Sequence, residues 1–219
     1  MRFNLERHHR RSIRLKGYDY SQPGAYFVTI GTQDRACLFG DVVDGEMRLN
    51  DAGRLVVAEW ERIPERFPHI ALDAFIVMPN HIHGILVITQ HVGAGLVPAQ
   101  DGATTRVAPT NAQNGVGVTT FGATTRVAPT VGDVVGAFKS RVTVEYIRRV
   151  KTSGWPPFRG RLWQRNYYER IIRDEESLNR IREYIASNPL RWHLDRENPL
   201  RVGEDDLWDN LFIKGAVHD

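Results

Sequence analysis

The sequence predicts an α+β chain in which helices pack on an antiparallel sheet, and three observations carry that prediction. Short β-branched runs come in pairs broken by turn residues, as in Phe75-Ile-Val-Met-Pro-Asn-His-Ile-His-Gly-Ile-Leu-Val-Ile88, where Pro79-Asn80 separates two runs. Elsewhere apolar residues recur three to four apart, the period of a helix with one packing face. Hydrophobic residues make up 42% of the 219-residue chain, enough for a real core. That length is about one to two domains' worth.

The elements follow in order. Residues 1–17 form a basic arm holding Arg2, Arg7, Arg10, Arg11, Arg14 and Lys16, with His8 and His9 among them. Such an arm can follow a phosphate backbone or simply be a solvated tail. Tyr26-Phe-Val-Thr-Ile30 reads as a first strand after the turn residues Pro23-Gly24. Val42-Val43 and Met47-Arg-Leu49 flank Asp44-Gly45, a pair suited to a tight hairpin turn. Asn50 or Asp51 can cap a helix over 52–63, whose packing face is Ala52, Leu55, Val56, Trp60 and Ile63. Pro64 and Pro68 are expected to end it. Ile70 to Met78 and His81 to Thr89 then form a strand pair. Beyond Gly84 the second strand is apolar on both faces, as a central strand covered from both sides should be.

From His91 the character changes. Gly102-Ala-Thr-Thr-Arg-Val-Ala-Pro-Thr110 recurs unchanged as Gly122 to Thr130, amid Gly, Asn, Thr, Gln and Val. Gly and Pro raise the cost of ordering, and few large side chains offset it. Residues 92–130 therefore read as an exposed, mobile insertion, with a short β-ribbon of the Thr-Arg-Val segments as the alternative. A domain spanning 18–192 runs on both sides of it, followed by a 193–219 extension.

The second half is helical again. Val131, Val134, Val135, Phe138 and Val142 form a stripe that Ser153-Gly154 and Pro156-Pro157 bring to an end. Lys139 lies elsewhere on that helix. Arg159, Arg161, Arg165 and Arg170 are then interleaved with Trp163, Tyr167 and Tyr168, while Trp163 itself reads as core. Cations beside flat aromatic faces are what a single-stranded nucleic-acid site uses for phosphates and bases. Asp174 caps a helix from Glu175 to Ser187 with Leu178, Ile181 and Ile185 inside, and Asn188-Pro189 ends it. Past Leu190 the polar, Trp-punctuated chain is expected to pack back loosely.

Composition excludes some classes. The lone cysteine, Cys37, rules out an internal disulfide framework and fits a reducing compartment. Apolar runs stop well short of the roughly 18 residues of a spanning helix. The opening Met1-Arg-Phe-Asn-Leu-Glu lacks the apolar core of a secretory signal. A net charge of +3 favours nucleic acid only weakly.

Chemistry concentrates in four residues. The period of two puts His81 and His83 on one strand face, where two imidazoles can grip one divalent cation or merely line a core edge. They supply two of the usual four to six ligands. Tyr184 and Asn188 stand one turn apart on a helix. No glutamate sits within the His81-Ile82-His83 segment, as it does in metalloproteases built on His-Glu-x-x-His. A tyrosine near a cation has another use: it attacks a phosphodiester, conserving the energy of the broken bond. Asn188 can offer its carbonyl oxygen as a third ligand. A histidine-triad phosphohydrolase would want another alternate histidine where Ile85 stands. The serious rival is a binding protein that does no chemistry.

Met78-Pro-Asn-His-Ile-His-Gly84, then Leu162-Trp-Gln-Arg165, Tyr167-Tyr-Glu-Arg-Ile-Ile-Arg173 and Glu183-Tyr-Ile-Ala-Ser-Asn-Pro189, together resemble the single-tyrosine HUH transposases, in particular the REP-associated tyrosine transposases of bacteria. The resemblance runs from Tyr18 to Trp192 and skips the insertion. It implies a ferredoxin-like, RRM-like sheet with packed helices. It also implies cleavage and rejoining of single-stranded DNA near hairpins, through a 5′-phosphotyrosine with a free 3′-OH. Carried over residue by residue, it implies Tyr184 as nucleophile and His81, His83 and Asn188 as ligands of Mg²⁺ or Mn²⁺. DNA contacts would come from Arg10, Arg11, Arg14, Lys139, Arg159, Arg161, Arg165, Tyr167 and Tyr168. The expected partner is single-stranded or hairpin DNA, in the cytoplasm at the nucleoid. Monomer and homodimer both stay open. The repeat-bearing insertion departs from the compact family pattern.

Overall fold

In this computed structural model, residues 18–89 and 129–213 are described. The basic arm with Arg10, Arg11 and Arg14, and the insertion as far as residue 128, lie outside them. The elements are β1 (Gly24–Gly31), β2 (Gly40–Val43), β3 (Glu46–Leu49), α1 (Asp51–Glu61), α2 (Ile63–Arg66), β4 (Ile70–Val77) and β5 (His81–Ile88). After the insertion come α3 (Val131–Ser153), β6 (Tyr168–Ile172), α4 (Glu175–Ser187) and α5 (Asp206–Trp208), which runs into a π-helical turn, Asp209–Ile213.

Four strands form the main sheet in the order β4-β5-β1-β6, and each neighbouring pair is antiparallel. In chain order α1 lies between β1 and β4 and α3 between β5 and β6, which is the βαββαβ path of a ferredoxin-like sheet. β2 and β3 make a separate hairpin. Its turn is made by Asp44 and Gly45, both at positive φ (53° and 77°), as a two-residue primed turn requires.

Period-two alternation divides the core into two. Tyr26, Val28 and Ile30 of β1, with Ile82 and Leu86 of β5, face α1 and α3 and pack on Val56, Trp60, Val134, Phe138 and Val142. Phe27 and Ile85 point the other way, onto Ile181, Tyr184 and Ile185 of α4. His81 and His83 share the α4 side by the same alternation. On the α1 side Gly84 is required sterically. A Cβ there would lie 2.4 Å from Cζ2 of Trp60, whose indole stacks on Phe75 with centroids 4.6 Å apart.

Helix ends follow local chemistry. Asn50 Oδ1 accepts from Gly53 N at 2.9 Å, and Asp174 Oδ1 accepts from Ser177 N at 2.6 Å. Two boundaries differ from expectation. α1 stops at Glu61, and Pro64 opens α2 instead of ending a helix, because the first turn has no use for the N–H that proline lacks. Thr130, the last residue of the second repeat, makes a capping box with Asp133 and so belongs to α3. The C-terminal segment also differs. Trp208 and Phe212 are buried against α4 and β1, and Asp195, Asn198 and Asp205 are buried too. A loose return would leave these large rings in water, so the segment closes the α4 face. Among the described residues no helix is long and apolar enough to cross a membrane.

Candidate metal and nucleophile site

β5 begins at His81, and β1 holds its far partner: Gly31 pairs with His81 and Thr29 with His83. This register puts the Thr29 hydroxyl 2.8 Å from Nδ1 of His83. Asn80 Oδ1 lies 2.9 Å from Nδ1 of His81. With both Nδ1 atoms engaged, the two Nε2 atoms turn toward each other and stand 2.9 Å apart. Both rings are at most 1% exposed.

A third group completes the cluster from beyond the expected domain boundary. Asp195 Oδ1 accepts the backbone N–H of Glu197 at 2.6 Å. Its Oδ2 faces the imidazoles, 3.6 Å from His81 Nε2 and 3.9 Å from His83 Nε2, with no hydrogen-bond donor among the described residues. Ligand atoms of His81, His83 and Asp195 all lie within 4.8 Å of one another. Asn188 Oδ1 is likewise buried without a hydrogen-bond partner among the described residues. Two imidazoles with a carboxylate and an amide oxygen suit a divalent cation, and the orphaned buried oxygens fit such a group. His81, His83 and Asp195 thus form a cluster able to hold a divalent cation beside Tyr184.

Electrostatics agree. Burial pushes His81 down to about 3 against the opposing pull of Asp195, with His83 adding to the fall, so the ring is neutral at pH 7 and presents a lone pair. Burial raises the Asp195 carboxyl, but His81, His83 and the Glu197 N–H outweigh it and hold the group well below the usual carboxylate range. Tyr184 Oη stands 3.3 Å from His83 Nε2. Burial, then Asp195 and Asp205, push its phenol well above the ordinary tyrosine value, while the neighbouring Asn188 side chain acts the other way. A divalent cation held by Asp195 would favour the ionised phenol instead.

Asn188 caps α4 one turn on, and the arrangement brings His81 and His83 together with Tyr184. Its ring is 1% exposed and packs edge-on against Phe27, Trp208 and Phe212. Other expected residues sit elsewhere. Lys139 donates to the carbonyls of Gln164 at 2.7 Å and Arg165 at 3.3 Å, so most of its hydrogen-bonding capacity holds a loop and not a phosphate. Tyr167 packs with the α1 and α3 side, and its hydroxyl donates to Glu169 at 2.6 Å. Tyr168 packs on the α4 side against Trp208 and Phe212. Both tyrosines are half-buried, because Tyr167, just before β6, and Tyr168, its first residue, lie on opposite faces of the sheet and each face is packed. Arg159, Arg161 and Arg165 are exposed on the loop between α3 and β6. That loop is tied to the end of β1 by Gln33 N to Leu162 O and Gln164 N to Gly31 O, both 2.9 Å, beside the strand position that pairs with His81.

Sequence reasoning missed Asp195, Asn80 and Thr29. Asp195 lies in an aperiodic segment with no motif spacing to mark it. Asn80 was legible only as a turn residue, and Thr29 only once the β1–β5 register is known.

Comparison with known proteins gives the following. No family model matches the chain. A Haemophilus influenzae protein described as uncharacterized is 40% identical over 199 residues, covering 89% of this chain and 96% of the relative. Among solved structures, a REP-associated tyrosine transposase bound to a REP hairpin aligns at TM-score 0.44 and 14% identity, over 82% of this chain and 74% of the other. A transposase-like protein of Deinococcus radiodurans aligns at TM-score 0.36 and 19% identity, over 79% of this chain and 95% of the other.

Proposed function

The chain belongs to one family with the Haemophilus influenzae protein, and for this member we propose metal-assisted cleavage and rejoining of single-stranded DNA near hairpins, with Tyr184 as the nucleophile. The observation that carries the reading is the Tyr184 hydroxyl, 3.3 Å from His83 Nε2, at the edge of a His81–His83–Asp195 cluster whose buried carboxylate oxygen has no donor among the described residues. The resemblance of the histidine and tyrosine segments to REP-associated transposases points the same way.

His81, His83, Asp195 and Asn188 would hold Mg²⁺ or Mn²⁺, which supplies polarisation of the scissile phosphodiester. Tyr184 Oη attacks phosphorus, the P–O bond to the 3′-oxygen breaks, and a 5′-phosphotyrosine with a free 3′-OH results. The proton lost by the phenol balances the one gained by the departing 3′-oxygen. Attack by that hydroxyl on the phosphotyrosine reverses the step and rejoins a strand. Arg159, Arg161 and Arg165, with Arg10, Arg11 and Arg14 of the arm, contact phosphates of the DNA. DNA in the cytoplasm is the expected partner.

One observation favours a second reading, a binding protein on the same fold without turnover. Tyr184 is buried under Trp208 and Phe212, so a phosphate reaches it only when residues after Trp192 move aside. End-labelled hairpin oligonucleotide incubated with protein and Mn²⁺, then run on a denaturing gel, separates the two. Cleavage predicts a protein–DNA adduct from wild type and from Tyr168→Phe, and none from Tyr184→Phe. Hairpin binding with no adduct from any of the three selects the second reading.

A further inference from the structure

We propose that Asn80 is the positioning residue that holds His81 and Asp195 in one metal-ready arrangement, an inference that rests on the metal site described above. The side chain is 1% exposed and uses both ends of its amide. Nδ2 donates one N–H to Arg35 O at 3.0 Å and the other to Glu197 O at 2.7 Å. With both donors taken by carbonyls, the amide has one orientation, and Oδ1 is the atom facing His81 Nδ1 at 2.9 Å. An amide oxygen only accepts, so Nδ1 of His81 carries the proton. The Nε2 lone pair is therefore left aimed at His83 and Asp195.

The same amide reaches the carboxylate. Glu197 gives its C=O to Asn80 and its N–H to Asp195 Oδ1, at 2.7 and 2.6 Å. A continuous chain of hydrogen bonds thus runs from the His81 ring through Asn80 and the Glu197 backbone to Asp195, and returns across the gap between Asp195 Oδ2 and His81 Nε2. The Asn80 carbonyl meanwhile accepts from Thr32 N at 2.8 Å, fixing the start of β5 to the end of β1. A residue whose sequence position suggests only a turn therefore orients one ligand and anchors the segment carrying another. Groups that orient metal ligands typically change affinity by about 10–100-fold when removed.

Asn80→Asp and Asn80→Ala divide the two tasks. Aspartate keeps an acceptor for His81 but sets a carboxylate against the carbonyls of Arg35 and Glu197; alanine loses all three side-chain hydrogen bonds and keeps only the backbone one to Thr32. The experiment measures Mn²⁺ affinity of the full chain by titration calorimetry, and the His81 tautomer in metal-free protein by nitrogen-15 NMR. The expected results are His81 protonated at Nδ1 in wild type and Asn80→Asp, and mixed tautomers in Asn80→Ala. Mn²⁺ binding should weaken about 10–100-fold in alanine and less in aspartate. Wild-type His81 protonated at Nε2, a reading that needs no variant to fold, overturns the proposal. So does an Asn80→Ala protein with wild-type Mn²⁺ affinity. Wild type that binds no Mn²⁺ at all overturns the metal site itself, and this inference with it, whereas loss of DNA adduct alone touches neither measurement.

Discussion

The two faces of the one sheet are built on opposite rules. Toward α1 and α3 the packing is aliphatic and aromatic, with Trp60 flat over Gly84 and against Phe75. Toward α4 the sheet offers Thr29, His81 and His83. The covering layer adds Tyr184, Asn188 and Asp195, walled by Phe27, Trp208 and Phe212. Hydrophobic burial pays for the fold on the first face, and that stability lets the second keep a cluster of buried ionisable groups. Substitutions on the two faces should therefore fail in different ways.

Trp60→Ala makes the sharpest contrast. Removing a fully buried indole should cost about 3–5 kcal/mol of stability, read from urea unfolding, and leave the metal ligands unchanged. A loss below about 1 kcal/mol would mean that the α1 face is not the main source of stability.

Metal is the corresponding lever on the other face. At free Mn²⁺ a hundred times its Kd, wild type should gain about 2.7 kcal/mol, seen as a rise in Tm. His83→Ala and Asp195→Asn should lose most of that gain while folding without metal. An undiminished gain in Asp195→Asn would remove the carboxylate from the site.

Between them stands Gly84→Ala. The added methyl must displace Trp60, and overpacking of this kind costs about 1–3 kcal/mol. Gly84 is one residue from His83 but faces away from it, so Mn²⁺ affinity should stay within about twofold. Loss of affinity out of proportion to stability would show that the two faces are coupled.

Legibility divides along the same line. Strand alternation and helix period are properties of neighbouring residues. They place His81 with His83, set Tyr184 one turn from Asn188, and give the stripe of α3 directly. Asp195 is brought in by a turn that follows no period, held by Trp192 O and Glu197 N, and only the folded chain shows it. Lys139 looked free because a helical wheel does not show the carbonyls of Gln164 and Arg165. Pro64 looked like a stop because the short helix it opens is too brief for a periodic signal. The burial of Trp208 and Phe212 escaped for the reason that hid Asp195. Scattered aromatics in a polar stretch reveal their partners only through tertiary structure.

The central claim is that Tyr184 forms the covalent bond to DNA, and peptide mapping of the adduct tests it most directly. Wild-type protein is incubated with a single-stranded hairpin oligonucleotide and Mn²⁺, digested with nuclease and trypsin, and examined by mass spectrometry. The account predicts a nucleotide on the peptide from Glu183 to Arg191, which holds Tyr184 as its single tyrosine. A nucleotide on the peptide from Asn166 to Arg170, which carries Tyr167 and Tyr168, would contradict it.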